Sequence, residues 1–221
     1  MSVVLLTIAF FFGSAFVTEA WSDDVLGARP LRAIKPNGIQ SVIPPDTRLL
    51  NDSQTIEQFL DEVDGSPPDW ATVYGQGHHD PGHDDRLFNL NRERDTQREG
   101  KSALRQRVTF VWSGELSRYD TKAGGFHVSL GPRFIATRWG VVRFKYEELP
   151  SNLVAIPRAS LRKTLRRKLE KKQKIEIDVA ITGRLIPTES LVYDFSHDQE
   201  GLGLIMPVVK VEHVDYLLTS K

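Results

Sequence analysis

The sequence of 221 residues contains no cysteine, and this absence excludes several kinds of chemistry. Without cysteine there is no disulfide, no thiolate ligand for a metal and no thiol nucleophile. The fold must therefore be stable through packing alone. The absence does not exclude export, because disulfides are permitted outside the cytoplasm but are not required there.

Catalytic motifs of recognisable spacing are also lacking. The chain has no nucleophile elbow, no phosphate-binding loop, no HExxH zinc motif and no paired-carboxylate motif. Ser196, His197 and Asp198 are consecutive in one loop, and neighbours in a loop seldom reach the geometry of a catalytic triad. We therefore predict no catalytic residues and no cofactor.

The chain has no net charge, but its two halves carry opposite net charges. Residues 1–100 hold 8 basic and 16 acidic side chains, whereas residues 101–221 hold 21 basic and 13 acidic ones. A basic half raises the question of an anionic partner, and the acidic half is one candidate for that partner.

Residues 1–20 begin without any Lys or Arg and continue as an apolar run from Val3 to Val17. Small residues follow at Thr18 and Ala20, which is typical of a cleaved signal peptide, and the run falls short of the ~20 residues that span a bilayer. An uncleaved anchor and a buried segment are the alternatives. Both a cleaved signal peptide and an uncleaved anchor predict an extracytoplasmic (secreted or periplasmic) protein. Such a protein contacts a membrane only through residues 1–20, and only if these are not cleaved.

Residues 21–100 are predicted to form an acidic extension rich in Pro and Gly. Trp21–Arg48 contains four prolines and no periodicity, so we interpret it as a linker or a wrapping arm. A short helix is predicted over 53–63, because its apolar residues recur at helical spacing. This helix packs on the main domain or binds a partner. We place the domain boundary near Gly100.

Residues 101–221 are predicted to form a mainly β domain. Apolar and polar residues alternate over 108–112, 126–130, 175–181 and 208–218. Residues 134–146 are predicted to add a third strand or strand pair, and 150–157 an extended connection. A shift in the apolar phase near Glu212 predicts a β-bulge. The stretch Pro187–Pro207 is predicted to be a long loop.

The element order of this domain resembles the OB-fold, a five-stranded barrel with a helix between its third and fourth strands. The resemblance implies a small OB-like barrel preceded by an irregular and helical N-terminal extension. It rests on element order alone and carries no activity with it. A small β-sandwich or another kind of barrel is the alternative.

The helix of this domain is strongly basic, since nine of the seventeen residues in Arg158–Lys174 are Lys or Arg. Leu161, Leu165 and Leu169 form a narrow apolar stripe, which predicts that the helix closes one end of the barrel. Its basic face is solvated, covered by the acidic half, or a site for a polyanion. We predict a structural role first.

OB-like barrels bind ligands on strands two and three and on the loops after strands one and four. Applied to this chain, the resemblance implies a surface that combines basic and aromatic side chains, namely Arg118, Tyr119, Lys122, Arg133, Arg138, Trp139, Arg143, Lys145, Tyr193, Phe195 and His197. Such a combination suits an acidic glycan or a nucleic-acid single strand. In the alternative interpretation, Trp139 is a core residue and the arginines line its solvent edge.

Histidines and aspartates in two loops are candidate metal ligands: His78, His79, His83, His197 and Asp198. Imidazole and carboxylate suit zinc, nickel or copper, but a flexible Gly- and Pro-rich loop holds ligands poorly. The leading prediction is an exported, non-enzymatic binding module for a protein, an anionic glycan or a lipid headgroup, and export argues against nucleic acid. A metal-dependent hydrolase that uses these two loops is the alternative.

Overall fold

The structure is a computed structural model that describes residues 27–36, 38–77, 80–196 and 201–219. The predicted signal segment, 1–20, lies outside the described residues. The strands are β1 (Ala28–Ile34), β2 (Arg48–Leu50), β3 (Arg107–Asp120), β4 (Gly125–Gly131), β5 (Ile135–Thr137), β6 (Gly140–Val142), β7 (Lys145–Glu147), β8 (Val154–Pro157), β9 (Glu176–Leu185), β10 (Leu191–Phe195) and β11 (Gly203–Thr219). The α-helices are α1 (Ser53–Asp64), α2 (Trp70–Tyr74), α3 (His83–Arg98) and α4 (Ala159–Glu170).

The fold is mainly β and centres on a closed barrel, as the alternating sequence pattern predicts. The strands follow one another around the barrel in the order β1-β8-β4-β3-β9-β11, and β11 pairs again with β1. The barrel therefore has six strands, and the prediction of five was wrong. Five of the six, with α4 between the third and the fourth, are consistent with an OB-like barrel.

The sixth strand, β1, comes from the stretch that we interpreted as a linker or wrapping arm. It runs parallel to both neighbours, pairing Ala28 with Val154 and Leu31 with Tyr216. Leu31 is buried inside the barrel, whereas most other residues of β1 stay partly exposed. One buried apolar position and an internal proline give too weak a period-two signal to mark a strand in the sequence.

The third strand of the OB order is β8, which was predicted to be a connection. It pairs antiparallel with β4, Phe126 facing Ala155 in the register. Residues 134–146, where a third strand or a strand pair was predicted, form three short strands that lie off this barrel path. β5 and β6 make a small hairpin, and β6 and β7 pair in parallel with β11. The alternation of apolar residues in the sequence predicts a strand, but it does not predict with which neighbouring strand it pairs.

The C-terminal strand β11 is long and serves two partners. Its first part forms a hairpin with β10, so the predicted long loop between Pro187 and Pro207 contains a strand. Its second part pairs with β9, and the register shifts between Val211 and His213. This shift confirms the bulge that the phase change predicted.

The segment between β1 and α1 lies over the outside of the barrel. Ile43 packs with Ala180 and Leu217, two outward-facing barrel residues that are fully buried. Thr47 shares a buried chain of hydroxyl hydrogen bonds with Thr109 and Thr182, with oxygen–oxygen distances of 3.0 and 2.6 Å. This part of the predicted extension is thus joined to the barrel.

Helix α4 packs on the barrel through the leucine stripe that the sequence predicts. Leu165 is 2% exposed, and Leu161 and Leu169 contact the core from either side. Burying a leucine contributes about 1.5–3 kcal/mol, so this stripe is enough to fix the helix in place. Among the described residues, we find no helix that is long and apolar enough to cross a membrane.

Candidate functional site

The outer flank of α4 carries the densest positive charge of the fold. Arg162 and Arg166 stand four residues apart on one row, and Lys163 and Arg167 stand four apart on the next. Like charges at this spacing destabilise a helix by about 0.2–0.5 kcal/mol per pair. The first turn has no acidic residue to offset them. The basic side chains therefore reduce the stability of the helix at this surface, and such a local loss of stability is expected where a surface has a function.

Two contiguous hollows occupy this flank, and we call them together the basic face. A depression of about 380 Å³ runs along the helix and is lined by Ala159, Arg162, Lys163, Arg166, Arg167 and Glu170. A cleft of about 400 Å³ lies between α4 and the β3–β4 hairpin, and Ser117, Arg118, Tyr119 and Phe126 line it from the barrel side. Arg166 and Glu170 line both hollows, so a ligand can extend from one into the other.

A tyrosine holds one of these arginines in place. The Arg166 guanidinium carbon lies 4.8 Å from the centre of the Tyr119 ring, which is cation–π distance. Tyr119 in turn packs edge-to-face on the fully buried Phe126, with ring centres 5.1 Å apart. The position of Arg166 is therefore coupled to the barrel core through two rings in edge-to-face contact.

The β3–β4 turn brings further groups to the same place. Gly124 has a φ of +69°, and a side chain there would come within 4 Å of the Arg162 guanidinium. The turn closes because the Asp120 carboxylate accepts hydrogen bonds from the backbone N–H groups of Lys122 and Ala123, at 2.8 and 3.0 Å. The bond from Ala123 lowers the pKa of Asp120, so this carboxylate stays ionised and offsets part of the positive charge.

The acidic side chains that the structure describes do not pair with the cations of the basic face. Among the described residues, no carboxylate lies within 4.0 Å of a charged nitrogen of Arg162, Lys163, Arg166 or Arg167. The acidic side chains pair with other arginines instead: Glu62 with Arg48, Asp80 with Arg86, Asp61 with Arg138 and Asp64 with Arg98. This result removes one of the three interpretations of the basic helix, as far as the described residues reach.

The other basic residues of the predicted ligand surface lie away from α4. The Arg138 side chain pairs with Glu57 and Asp61 of α1 and holds that helix against β5 and β6. The Arg143 guanidinium carbon stacks 5.6 Å from the centre of the Phe134 ring. Arg133 and Lys145 are exposed on the loop before β5 and on β7. Of the ten predicted ligand residues that the structure describes, Arg118 and Tyr119 line the cleft of the basic face, and Lys122 lies on the β3–β4 turn beside them. The eleventh, His197, lies outside the described residues.

Three aromatic residues of that predicted surface are core residues. Trp139, Tyr193 and Phe195 are at most 4% exposed, which agrees with the alternative interpretation for Trp139. The Trp139 carbonyl accepts a 2.6 Å hydrogen bond from the indole N–H of Trp70 on α2, and Phe195 packs on Tyr74 of the same helix. These rings fasten the N-terminal helices to the barrel.

A buried charged cluster completes this junction, and sequence reasoning missed it. The Asp64 carboxylate at the end of α1 accepts hydrogen bonds from the Arg98 guanidinium, at 3.1 Å, and from the Tyr193 hydroxyl. Arg94 lies 3.6 Å from the same carboxylate oxygen. Arg98 is only 1% exposed, although α3 is a highly charged helix without a clear apolar stripe. Nothing in its sequence distinguishes this arginine from its exposed neighbours.

Of the five predicted metal ligands, only His83 lies among the described residues; His78, His79, His197 and Asp198 lie outside them. The Nδ1 atom of His83 is 2.8 Å from the backbone oxygen of Asp80, and its ring packs 5.0 Å from that of Phe195. Within the described part of the chain, no group of three or more ligating side chains could hold a metal ion. The metal site and the hydrolase therefore stay predictions.

Comparison of this chain with protein-family models, with curated proteins and with solved structures finds no match. Functional inference must therefore start from the geometry. The arrangement at α4 combines a row of hydrated cations, two connected hollows and one arginine positioned by stacking. Chemically, it can bind anions that recur along an extended ligand.

Proposed function

We propose that this protein is a non-enzymatic binding module with an OB-like barrel, and that its basic face binds an acidic polysaccharide. One observation carries the proposal: the cations of α4 have no carboxylate partner among the described residues, whereas the N-terminal acidic residues pair elsewhere. A cation without an internal partner is available to an external anion, and its potential attracts polyanions over a distance of about 10 Å at moderate salt.

The shape of the basic face favours a linear polymer over a single small anion. The twelve residues of α4 span about 18 Å, and its basic side chains repeat along that length. A polysaccharide with a sulfate or carboxylate on successive sugars carries its negative charges at a spacing comparable to that of the basic side chains on α4. Each ion pair is weak at an exposed site, so useful affinity requires several at once.

Two other polyanions are less well supported. A helix that binds a membrane surface buries an apolar face in the lipid, but the leucines of α4 are turned into the barrel. A nucleic-acid single strand needs open aromatic rings for stacking. At the cleft, Phe126 is buried and one face of Tyr119 is covered by Arg166. The predicted export argues in the same direction.

The test is retention on immobilised heparin at physiological salt. We expect the wild-type protein to be retained and the triple variant Arg162→Glu, Arg166→Glu, Arg167→Glu to pass through. The matched control, Arg105→Glu, Arg133→Glu, Lys145→Glu, changes the net charge equally at exposed positions elsewhere and should be retained. Unchanged retention of the α4 variant would refute the proposal. If the control loses retention instead, the ligand surface includes Arg105, Arg133 or Lys145 rather than α4.

Competition experiments identify the class of polyanion. Soluble heparin should displace the protein from the column at lower charge concentration than duplex DNA, single-stranded DNA or vesicles containing anionic lipid. Stronger displacement by either DNA or by the vesicles would contradict the assignment to a polysaccharide, even if the triple variant had lost retention.

A further inference from the structure

The cleft between α4 and the β3–β4 hairpin differs from the rest of the basic face in one respect. Lys163 and Arg167 on α4 are exposed, whereas at the cleft the Arg166 guanidinium lies on the Tyr119 ring. We infer that Arg166 and Arg118 form a selective subsite for one sulfate or carboxylate group, with Tyr119 as the residue that positions Arg166. This inference rests on the proposed function and specifies where and how the polysaccharide is recognised.

The physical reason is pre-organisation. A free arginine side chain loses rotamer entropy when it is fixed by a ligand. A guanidinium that already lies flat on an aromatic ring has lost part of this freedom before the ligand arrives. Its planar edge still offers parallel N–H donors to the two oxygens of a carboxylate or sulfate. Lysine provides a charge without this fork, so the subsite should distinguish the two residues.

The support for Tyr119 comes from the barrel. Its ring packs on Phe126, which is fully buried and belongs to β4. Arg118, the preceding residue on β3, also lines the cleft and places its guanidinium 3.5 Å from the His127 ring. Two cations on opposite walls, one from the helix and one from the barrel, can approach a single anionic group from two sides.

One carboxylate lines the cleft, and a second lies on the neighbouring turn. Glu170 lines the cleft on the helix side, and the ionised Asp120 lies 3.5 Å from His127 on the hairpin side. The positively charged side chains that line the cleft are Arg118 and Arg166. A ligand that spreads its charge uniformly along the cleft would meet Glu170, whereas a single sulfate or carboxylate would not. We accordingly expect Glu170→Gln to strengthen the binding of heparin while relaxing the selectivity of the cleft.

Charge-conserving variants test the subsite, with heparin as the probe and the dissociation constant measured by calorimetry at fixed salt. Arg166→Lys should weaken binding about tenfold, the loss of one charge-assisted hydrogen bond. Tyr119→Leu should weaken it about threefold, the loss of a cation–π contact at a partly exposed site. Tyr119→Phe keeps the ring and should bind like the wild type. Arg133→Lys, on the other surface, is the matched control and should also be unchanged.

The outcomes separate this inference from the proposed function. If Arg166→Lys binds heparin like the wild type while the triple Glu variant does not bind, the basic face acts through diffuse charge and the subsite is refuted. If the triple Glu variant still binds, the proposed function itself fails. Should Tyr119→Leu not fold, Arg166→Lys alone decides, because Arg166 is exposed and its replacement leaves the packing of the core intact.

Discussion

Arginines on two helices of this protein have opposite surroundings. On α3, Arg98 is buried and meets Asp64, and Arg94 lies beside the same carboxylate. On α4, Arg166 and Arg167 are exposed, and among the described residues they meet no carboxylate. A buried guanidinium must be compensated within the fold, because its desolvation costs several kcal/mol. An exposed guanidinium stays hydrated and needs no internal partner.

The comparison shows that the number of charges in a helix says little about their role. Helix α3 belongs to the acidic half, yet its arginines stabilise the junction between the N-terminal helices and the barrel. Helix α4 belongs to the basic half, yet its stability derives from three leucines rather than from its charges. The arginines of α3 thus stabilise the fold, whereas those of α4 are the ones for which we propose a binding role.

The largest expected effect on stability follows from removing Asp64. The Asp64→Ala variant removes the buried carboxylate of the cluster and leaves Arg98 with the half-exposed Asp95 as its remaining carboxylate partner among the described residues. This change should reduce the free energy of unfolding by about 3 kcal/mol. Chemical denaturation followed by circular dichroism measures this loss. The control is Asp46→Ala, which breaks the exposed pair with Arg107 and should cost less than about 1 kcal/mol. Equal losses in the two variants would show that burial does not distinguish these ion pairs.

An intermediate effect is expected at alkaline pH. Burial raises the pKa of Tyr193, and the Asp64 carboxylate raises it further; burial likewise raises the pKa of Tyr216. The folded pKa of each thus exceeds the unfolded value of about 10, so their stabilisation is complete below pH ~10. It is lost as the pH rises above that value, by up to about 1.4 kcal/mol per pH unit for each tyrosine.

Absorbance of the tyrosinate form measures this titration. Tyr193 and Tyr216 should ionise only when the protein unfolds, so the folded state should show fewer than its five tyrosines titrating near pH 10. Ionisation of all five while circular dichroism still reports the native fold would contradict the buried cluster.

The smallest effect on stability is expected for the arginines of α4. Exposed substitutions usually change stability by less than about 0.5 kcal/mol each. Arg166 and Arg167 are exposed, and Arg162 is half-buried but makes no hydrogen bond to a described residue through its buried Nε atom. The triple α4 variant with Arg162, Arg166 and Arg167 replaced by Glu should therefore unfold at nearly the wild-type denaturant concentration. A loss as large as that of Asp64→Ala would mean that these arginines stabilise the fold, and the contrast between the two helices would disappear.

Much of the barrel could be predicted from local patterns. Alternating apolar residues identified β3, β4, β9 and the second half of β11, and the phase shift near Glu212 identified the bulge. The leucine stripe identified the buried side of α4. Each of these features lies within a few residues of the chain, where burial on one side leaves a periodic pattern.

Other elements left no such pattern. The strands β1 and β8 are short, contain proline and pair with distant segments, so the sequence suggested an arm and a connection. The predicted ligand surface joined exposed arginines to three rings that are buried at the junction. An aromatic side chain in a binding groove and one in the core can have the same residue type and the same spacing in the sequence. Only the residues that surround the ring in the fold distinguish the two cases.

The sequence by itself determined the division of charge, the absence of thiol chemistry, the mainly β domain and the side of α4 that faces the barrel. These follow from composition and from the periodicity of helices and strands. Only the tertiary structure decided that β1 closes the barrel, that Arg98 is buried, and that the acidic half pairs away from the basic face. Those outcomes depend on which distant segments meet, and therefore on which charges must be neutralised inside and which stay open to solvent.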